Sequence, residues 1–127
     1  MRSVSLLLLA VAACAKPPPP KPVPPPTTLT WPKGVPHSIA VQAYEEYAAL
    51  EKVLLGYGIP VLKGRAMQEA KVVLYFDRCD DLRTQGTSAR IEDADGRLLL
   101  RLSRPLGGCQ QLMHDVADAI NTAWRAR

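Results

Sequence analysis

Cysteine and histidine are scarce in this chain, which limits the metal and redox chemistry it can support. Its 127 residues include three cysteines and two histidines. No Cys-x-x-Cys pair occurs, so a redox site of that type is excluded. His37 and His114 belong to no metal-ligand motif, and Cys79 and Cys109 alone are too few for a structural zinc site. We therefore expect no metal ion and no non-covalent cofactor.

Signatures of nucleic-acid binding, phosphate binding and serine hydrolysis are also lacking. Sixteen Lys and Arg residues stand against twelve Asp and Glu, and they are scattered rather than gathered in a stripe, which argues against a nucleic-acid partner. Gly107 and Gly108 lack the lysine and further glycines of a phosphate loop. No Gly-x-Ser-x-Gly elbow is present. We predict no catalytic residues and no enzyme activity, with a small periplasmic hydrolase as an alternative.

Asp80 and Asp81 are the acidic pair that could most readily suggest a cation site. Asp80 and Asp81 follow closely after Asp77, and neighbouring carboxylates can bind a hard cation through oxygen ligands. No loop of regularly spaced ligands accompanies them, and Arg78 and Arg83 lie among them. We interpret this stretch as a solvated loop.

What the sequence does contain is an N-terminal export signal. Arg2 is followed by the apolar run of residues 6–9 and then by small residues as far as Ala13, which is the order of a secretory signal. The apolar run is too short to span a bilayer, since a spanning helix needs about 20 apolar residues. Residues 1–13 are therefore predicted to be a signal peptide.

The end of this signal, Val11-Ala12-Ala13-Cys14, resembles the lipobox of bacterial lipoproteins. The resemblance implies cleavage between Ala13 and Cys14, a diacylglycerol on the Cys14 sulfur, and a fatty acyl group such as palmitate on the new amino terminus. Two or three acyl chains anchor a protein stably, whereas one holds it reversibly. The alternatives are an ordinary signal peptide cut after Ala13, which leaves Cys14 free, and a cytoplasmic protein with an apolar start.

The residues after the cysteine bear on localisation. Ala15 and Lys16 take the place of the aspartate that often retains lipoproteins in the inner membrane. In a Gram-negative host, the resemblance therefore implies a lipid anchor in the outer membrane, with the protein facing the periplasm.

Prolines dominate the next part of the chain, and residues 14–35 are predicted to be a lipidated cysteine and a Pro-rich linker. Nearly every position in 16–26 is proline or lysine, which favours extended polyproline II. At about 3.1 Å per residue, this stretch makes a semi-rigid spacer of roughly 30 Å. The alternative is a ligand for an aromatic-lined groove.

Residues 36–127 are predicted to form one small domain with a disulfide between Cys79 and Cys109. An exported domain lies in an oxidising compartment, and a small core benefits from a covalent link. Closing a loop of about 30 residues stabilises by roughly 3 to 4 kcal/mol in the chain-entropy model. Two buried free thiols and a reactive thiol pair are the alternatives.

Hydrophobic periodicity predicts the secondary structure of this domain. Pro60 cannot donate a ladder hydrogen bond, so its strand is expected at an edge or to begin there. The turn at 93–96 predicts a hairpin, with Leu98, Leu100 and Leu102 on one face of the return strand and Leu99 on the other. The predicted elements are strands at 38–41, 59–62, 71–77, 87–92 and 97–103, helices at 43–55 and 109–125, and a helical turn at 64–70.

The order β-α-β-β-β-β-α predicts an α+β two-layer sandwich. A mostly antiparallel sheet of four or five strands would carry two helices on one face, which buries the apolar stripes of both helices.

This order is similar to the small α/β domains of several envelope lipoproteins. The resemblance spans residues 38–124 and rests on the helix at 44–55, Gly58-Ile59-Pro60-Val61, the strand at 72–76 and the Asp-x-Asp-Gly turn. The similar proteins are the lipoprotein activators of penicillin-binding proteins, the periplasmic domain of the curli-secretion lipoprotein and the N-terminal domain of the Tol propeller protein. The resemblance implies a fold, and no site residue comes with it.

The functional hypothesis is a membrane-anchored envelope lipoprotein that acts as a non-catalytic adaptor or assembly factor for another envelope component. We expect its partner surface to include Leu99 on the far face of the hairpin and Tyr57 beside two glycines. The alternative is a phage-derived or lysis-related outer-membrane lipoprotein that uses the proline segment to reach across the periplasm.

Overall fold

The computed structural model describes residues 17–79, 86–105 and 107–126. In this part of the chain, three helices accompany one five-stranded sheet. The α+β class and the predicted element order are confirmed, and a short helix lies within the predicted helical turn. The elements are β1 (Ile39–Gln42), α1 (Tyr47–Gly56), β2 (Val61–Leu62), α2 (Arg65–Gln68), β3 (Val72–Phe76), β4 (Thr87–Asp93), β5 (Leu98–Arg104) and α3 (Cys109–Arg125).

The sheet is open and mixed, with the strand order β2-β1-β3-β4-β5. Its longer pairings, β3 with β4 and β4 with β5, are antiparallel, as predicted. β1 pairs in parallel with β2 and with β3, which the sequence did not indicate. The expectation for Pro60 is confirmed because β2 is an edge strand that begins directly after it. The Pro60 carbonyl accepts a hydrogen bond from the Ile39 N–H at 3.1 Å.

The hydrophobic core lies between one face of the sheet and the two long helices. α1 contributes Leu50 and Leu54, which are completely buried. α3 buries Leu112, Val116 and Ile120 at three- and four-residue spacing, together with Met113 and Ala117, while Ala119 and Ala123 on the same stripe are half-buried. The largest fully buried side chains of the sheet and α3 are Ile39, Val41, Val72, Leu74, Ile91, Leu100, Leu112, Met113 and Ile120.

The first helix is shorter than its apolar spacing predicts. It begins at Tyr47, and Tyr44 lies outside it with 79% of its surface exposed. Glu46 takes the N-cap position without capping the helix through its side chain. Its Oε1 instead accepts the Cys79 N–H at 2.9 Å, so the carboxylate links this helix start to the end of β3.

The hairpin forms at the predicted turn but contains an irregularity. Ile91 pairs with Leu100, whereas the next residue, Glu92, pairs with Leu98, so Leu99 is an extra residue in β5. Directly opposed residues share a face and successive residues alternate, which places Leu98 beside Glu92 on the face away from the helices. Leu99 packs against the core cluster. The predicted alternation is therefore wrong at this bulge.

The packed part of the chain begins before residue 36. Leu29 is only 6% exposed and belongs to the core cluster, and Trp31 packs beside it. Trp31 meets Trp124 of α3 edge to face at 5.2 Å between ring centroids. Further upstream, the Pro26 carbonyl accepts the Arg101 N–H of β5 at 3.0 Å. Part of the segment predicted as linker thus lies against the domain.

The predicted disulfide is present and joins two elements of the domain. Cys79 follows β3 and Cys109 begins α3, with their Cα atoms 5.6 Å apart. Within the described ranges, no helix is long and apolar enough to cross a membrane.

Candidate functional site

Several residues of interest lie outside the described part of the chain. These are the proposed cleavage and lipidation residues, Ala13 and Cys14, and the acidic pair Asp80 and Asp81. Among the residues that are described, no group of three or more His, Cys, Asp or Glu side chains is arranged to hold a metal ion.

Tyr57 lies in a groove between the two long helices. It follows directly after α1, and Gly58 then reverses the chain with a φ of 76°. The half-buried ring packs partly against the core, while its hydroxyl lies 3.1 Å from Nδ1 of His114 on α3. Either group can be the donor, depending on the histidine tautomer. The second ring nitrogen, Nε2, lies 3.5 Å from the side-chain amide nitrogen of Gln110.

This interhelical groove has a volume of about 520 Å³ and an amphipathic lining. Its apolar part comes from Ala49, Val53 and Gly56 of α1. Protein interfaces combine an apolar centre with a polar rim in this way. The polar groups that line it are Lys52, Tyr57, Gln110 and His114.

A second concave surface lies where β1 and β3 end. These strands are parallel, so their carboxyl ends meet at one edge of the sheet. β1 continues into α1 on one side and β3 toward β4 on the other, and ligand crevices in open α/β sheets occur where neighbouring strands diverge in this way. The cleft has a volume of about 570 Å³. Its lining includes Gln42, Tyr44, Tyr47, Met67, Tyr75, Asp77 and Arg90.

Aromatic and charged groups lie close together in this cleft, which we call the tyrosine cleft because Tyr44, Tyr47 and Tyr75 line it. The Arg90 guanidinium lies over the Tyr75 ring at 4.2 Å from its centroid and pairs with Glu92 at 2.6 Å. The Asp77 carboxylate accepts a hydrogen bond from the Ser88 hydroxyl. The cleft thus presents tyrosine rings beside a neutralised arginine and a carboxylate.

One hydrogen bond and one ion pair stabilise the side of this cleft that lies next to the disulfide. Arg78 pairs with Glu45 at 3.0 Å, next to the bond between Glu46 and the Cys79 N–H. Both contacts join the end of β3 to the turn that carries Tyr44, which fixes one wall of the cleft relative to the other.

No family model matches this chain. No curated protein and no solved structure is significantly similar to it either. Its function therefore has to be inferred from its own residues and geometry.

The two sequence-predicted surface residues have different surroundings. Tyr57 lies in the interhelical groove with His114, which sequence reasoning left as a surface or boundary residue. Leu99 lies at the bulge of β5, half-buried against the core. They do not form one surface, because β5 lines neither the groove nor the tyrosine cleft.

Sequence reasoning missed the tyrosine cleft. Tyr44 and Tyr47 fall within the helix predicted at 43–55, and Tyr75 falls within the strand predicted at 71–77. In the structure Val72, Leu74 and Phe76 face the core and Tyr75 faces away, but the sequence of this strand is apolar or aromatic throughout and does not show that alternation. The parallel pairing of β1 with β3, which completes the cleft, has no local signature in the sequence.

Proposed function

We propose that this chain is a lipid-anchored envelope lipoprotein whose domain acts as a non-catalytic adaptor and binds a protein partner in the interhelical groove. The anchor is inferred from the lipobox-like residues that end at Cys14. The Cys79–Cys109 disulfide supports an oxidising compartment such as the periplasm. A location at the outer membrane follows from the residues after Cys14 and from an assumed Gram-negative host.

The groove carries the binding part of the proposal. Its apolar floor can take an aliphatic or aromatic side chain, since burial of such a group stabilises a complex by about 25 cal/mol per Å². The rim provides donors for a carboxylate or a backbone carbonyl of the partner, through Lys52, Gln110 and the pair formed by Tyr57 and His114. We therefore expect the partner to present an apolar side chain beside an acidic one.

Cross-linking in intact cells tests this binding role. A photoreactive amino acid at the exposed floor position Ala49 is compared with the same amino acid at Asp95, in the hairpin turn. We expect a discrete adduct from position 49 and none of the same mass from position 95. Tyr57→Phe, which removes one hydroxyl, should reduce that adduct. Equal adducts at both positions, or none at either, would contradict a partner site in this groove.

The anchor is tested separately. Cells grown with a palmitate analogue should label the wild-type chain and leave Cys14→Ser unlabelled, because the cysteine sulfur is the atom to which the diacylglycerol is attached in the lipoprotein scheme. Label retained by Cys14→Ser would exclude the anchor, whatever the cross-linking shows.

A further inference from the structure

Two surfaces of this protein remain exposed in the single chain and have complementary chemistry. The tyrosine cleft is open, and Tyr44 at its mouth is 79% exposed. The proline segment, defined here as residues 17–25, is exposed along its whole length, and its apolar residue Val23 is 88% exposed. Neither surface belongs to the interhelical groove of the proposed adaptor function.

We propose that the tyrosine cleft binds the proline segment of a second copy of this chain. Polyproline II segments dock in aromatic-lined grooves because the helix is already formed and little conformational entropy is lost on binding. Their carbonyl groups have no internal hydrogen-bond partners. The cleft offers tyrosine rings for the proline rings, and hydroxyl groups together with the Gln42 amide to donate to the carbonyls.

Charge favours the same occupant. The proline segment carries Lys21 and no acidic residue. Both arginines near the cleft are already paired, Arg90 with Glu92 and Arg78 with Glu45. Asp77 accepts a bond from a serine hydroxyl, and no cation in the described residues pairs with it. A lysine ammonium entering the cleft therefore finds an available carboxylate.

The segment of one chain does not occupy the cleft of the same chain. Its C-terminal end is fixed by the bond between the Pro26 carbonyl and the Arg101 N–H on β5. β5 is the outer strand, two strands away from β3 and three from β1. None of residues 17–25 lines the cleft. A stiff polyproline segment extends away from its attachment at Pro26 by about 3.1 Å per residue and does not fold back. It can therefore reach the cleft of a neighbouring molecule.

The resulting contact is heterologous, since the segment of one copy enters the cleft of the next. Such contacts form rings where the geometry closes and rows where it does not. A modest intrinsic affinity suffices for copies anchored on one membrane, because tethering raises the effective concentration to about the millimolar range.

Complementing variants test this proposal in solution. The mature chain, taken from residue 14 onward and with Cys14→Ser so that it carries neither the signal peptide nor the lipid, is followed by sedimentation velocity up to about 1 mM, the concentration scale of tethered molecules. We expect concentration-dependent association. Tyr44→Ala should weaken it by at least about tenfold, as expected for loss of an aromatic ring that packs on the bound segment. Replacing residues 17–25 with a Gly/Ser segment of equal length should do the same.

The decisive experiment mixes the two variants. The Tyr44→Ala chain keeps its proline segment and the Gly/Ser chain keeps its cleft, so the mixture should form a heterodimer that does not extend further. Leu55→Ala, which changes an exposed apolar residue on α1, serves as the control and should associate like the parent chain.

Three outcomes would overturn the inference. These are a chain that stays monomeric throughout, association that survives in both variants, and a mixture that forms no heterodimer. Binding of a free peptide of residues 16–26 to the domain, while the chain itself stays monomeric, would indicate that the cleft binds another proline-rich protein. That result would also overturn the proposed contact between copies. None of these results affects the cross-linking at Ala49, so failure here is separable from failure of the adaptor proposal.

Discussion

Replacing Leu29 with alanine tests whether the chain before residue 36 belongs to the folded unit. Leu29 follows a proline-rich stretch, yet it is 6% exposed and contacts the core cluster. Burying a leucine contributes about 1.5 to 3 kcal/mol, and core Leu→Ala changes that leave a cavity cost about 2 to 5 kcal/mol. Leu29 lies near the start of the packed chain, where the structure can relax around the lost atoms. We therefore expect a loss of about 2 to 3 kcal/mol in the free energy of unfolding.

Urea unfolding followed by tryptophan fluorescence measures this loss. Trp31 and Trp124 are in contact in the folded state, so their emission reports the docking of this segment together with α3. For a urea slope of about 1 to 2 kcal/mol per molar, the midpoint should fall by about 1 to 3 M while the slope stays unchanged.

Val23→Ala is the matched control because Val23 is also apolar and close in sequence, but 88% exposed. We expect its effect to stay within about 0.5 kcal/mol. If Leu29→Ala behaved like Val23→Ala, residues 26–35 would be a linker and the reasoning from burial would fail.

Three further predictions concern the disulfide, a glycine and an ion pair. The double variant Cys79→Ser, Cys109→Ser removes the disulfide, which joins residues separated by 30 positions. We expect the free energy of unfolding to fall by about 3.5 kcal/mol. An unfolding temperature of the wild-type chain that does not change on adding reductant would contradict this. Gly86 has a φ of 74°, and a Cβ added there would overlap a backbone carbonyl of β5. Gly86→Ala should therefore lower the free energy of unfolding by more than the roughly 1 to 2 kcal/mol that a left-handed backbone costs a residue with a side chain. Calorimetry measures this loss, and a loss no larger than about 1 to 2 kcal/mol would refute the overlap. The hydrogen bond that the Lys63 ammonium donates to Glu51, and then the charge of Glu51, raise the pKa of Lys63 above its ordinary value. The pair's contribution to stability is therefore complete below the ordinary lysine pKa and is lost as pH rises through the raised one. Glu51→Gln should lower that pKa in an NMR titration, and an unchanged value would argue against the pair.

Local patterns predicted the elements of this fold well. The helix of residues 109–125 was predicted with the bounds that the structure gives α3, since three- and four-residue spacing extends without interruption from Leu112 to Ile120. The strand of Val72–Phe76 and the turn ending at Gly96 also followed from local composition. In each case, the deciding interaction lies within a few residues of the chain.

Features that depend on distant contacts were not predicted. The bulge at Leu99 depends on how β5 pairs with Glu92, and strict alternation along β5 gives no sign of it. The parallel pairing of β1 with β3 joins residues that are more than thirty positions apart, such as Ala40 and Val73. The tyrosine cleft depends on this pairing, so it could not be found before the topology was known.

The N-terminal segment shows how composition can mislead at a boundary. Residues 17–25 are exposed, as their prolines suggest, but Leu29 packs in the core and Trp31 packs against Trp124 of α3. His37 stacks on the same Trp124 ring at 4.8 Å between centroids and meets the Trp31 ring edge to face, so the three rings form one cluster. The apolar residues just after a proline run are therefore informative about where a domain begins.

The attachment at Pro26 also bears on the exposed edge of the sheet. β5 is an outer strand, and an outer strand with free N–H groups is a template for pairing with other chains. Pro26 offers its carbonyl to Arg101 and has no N–H to offer in return. A proline-rich segment can therefore cover this edge without extending the sheet. Association through strand pairing at this part of β5 is therefore disfavoured.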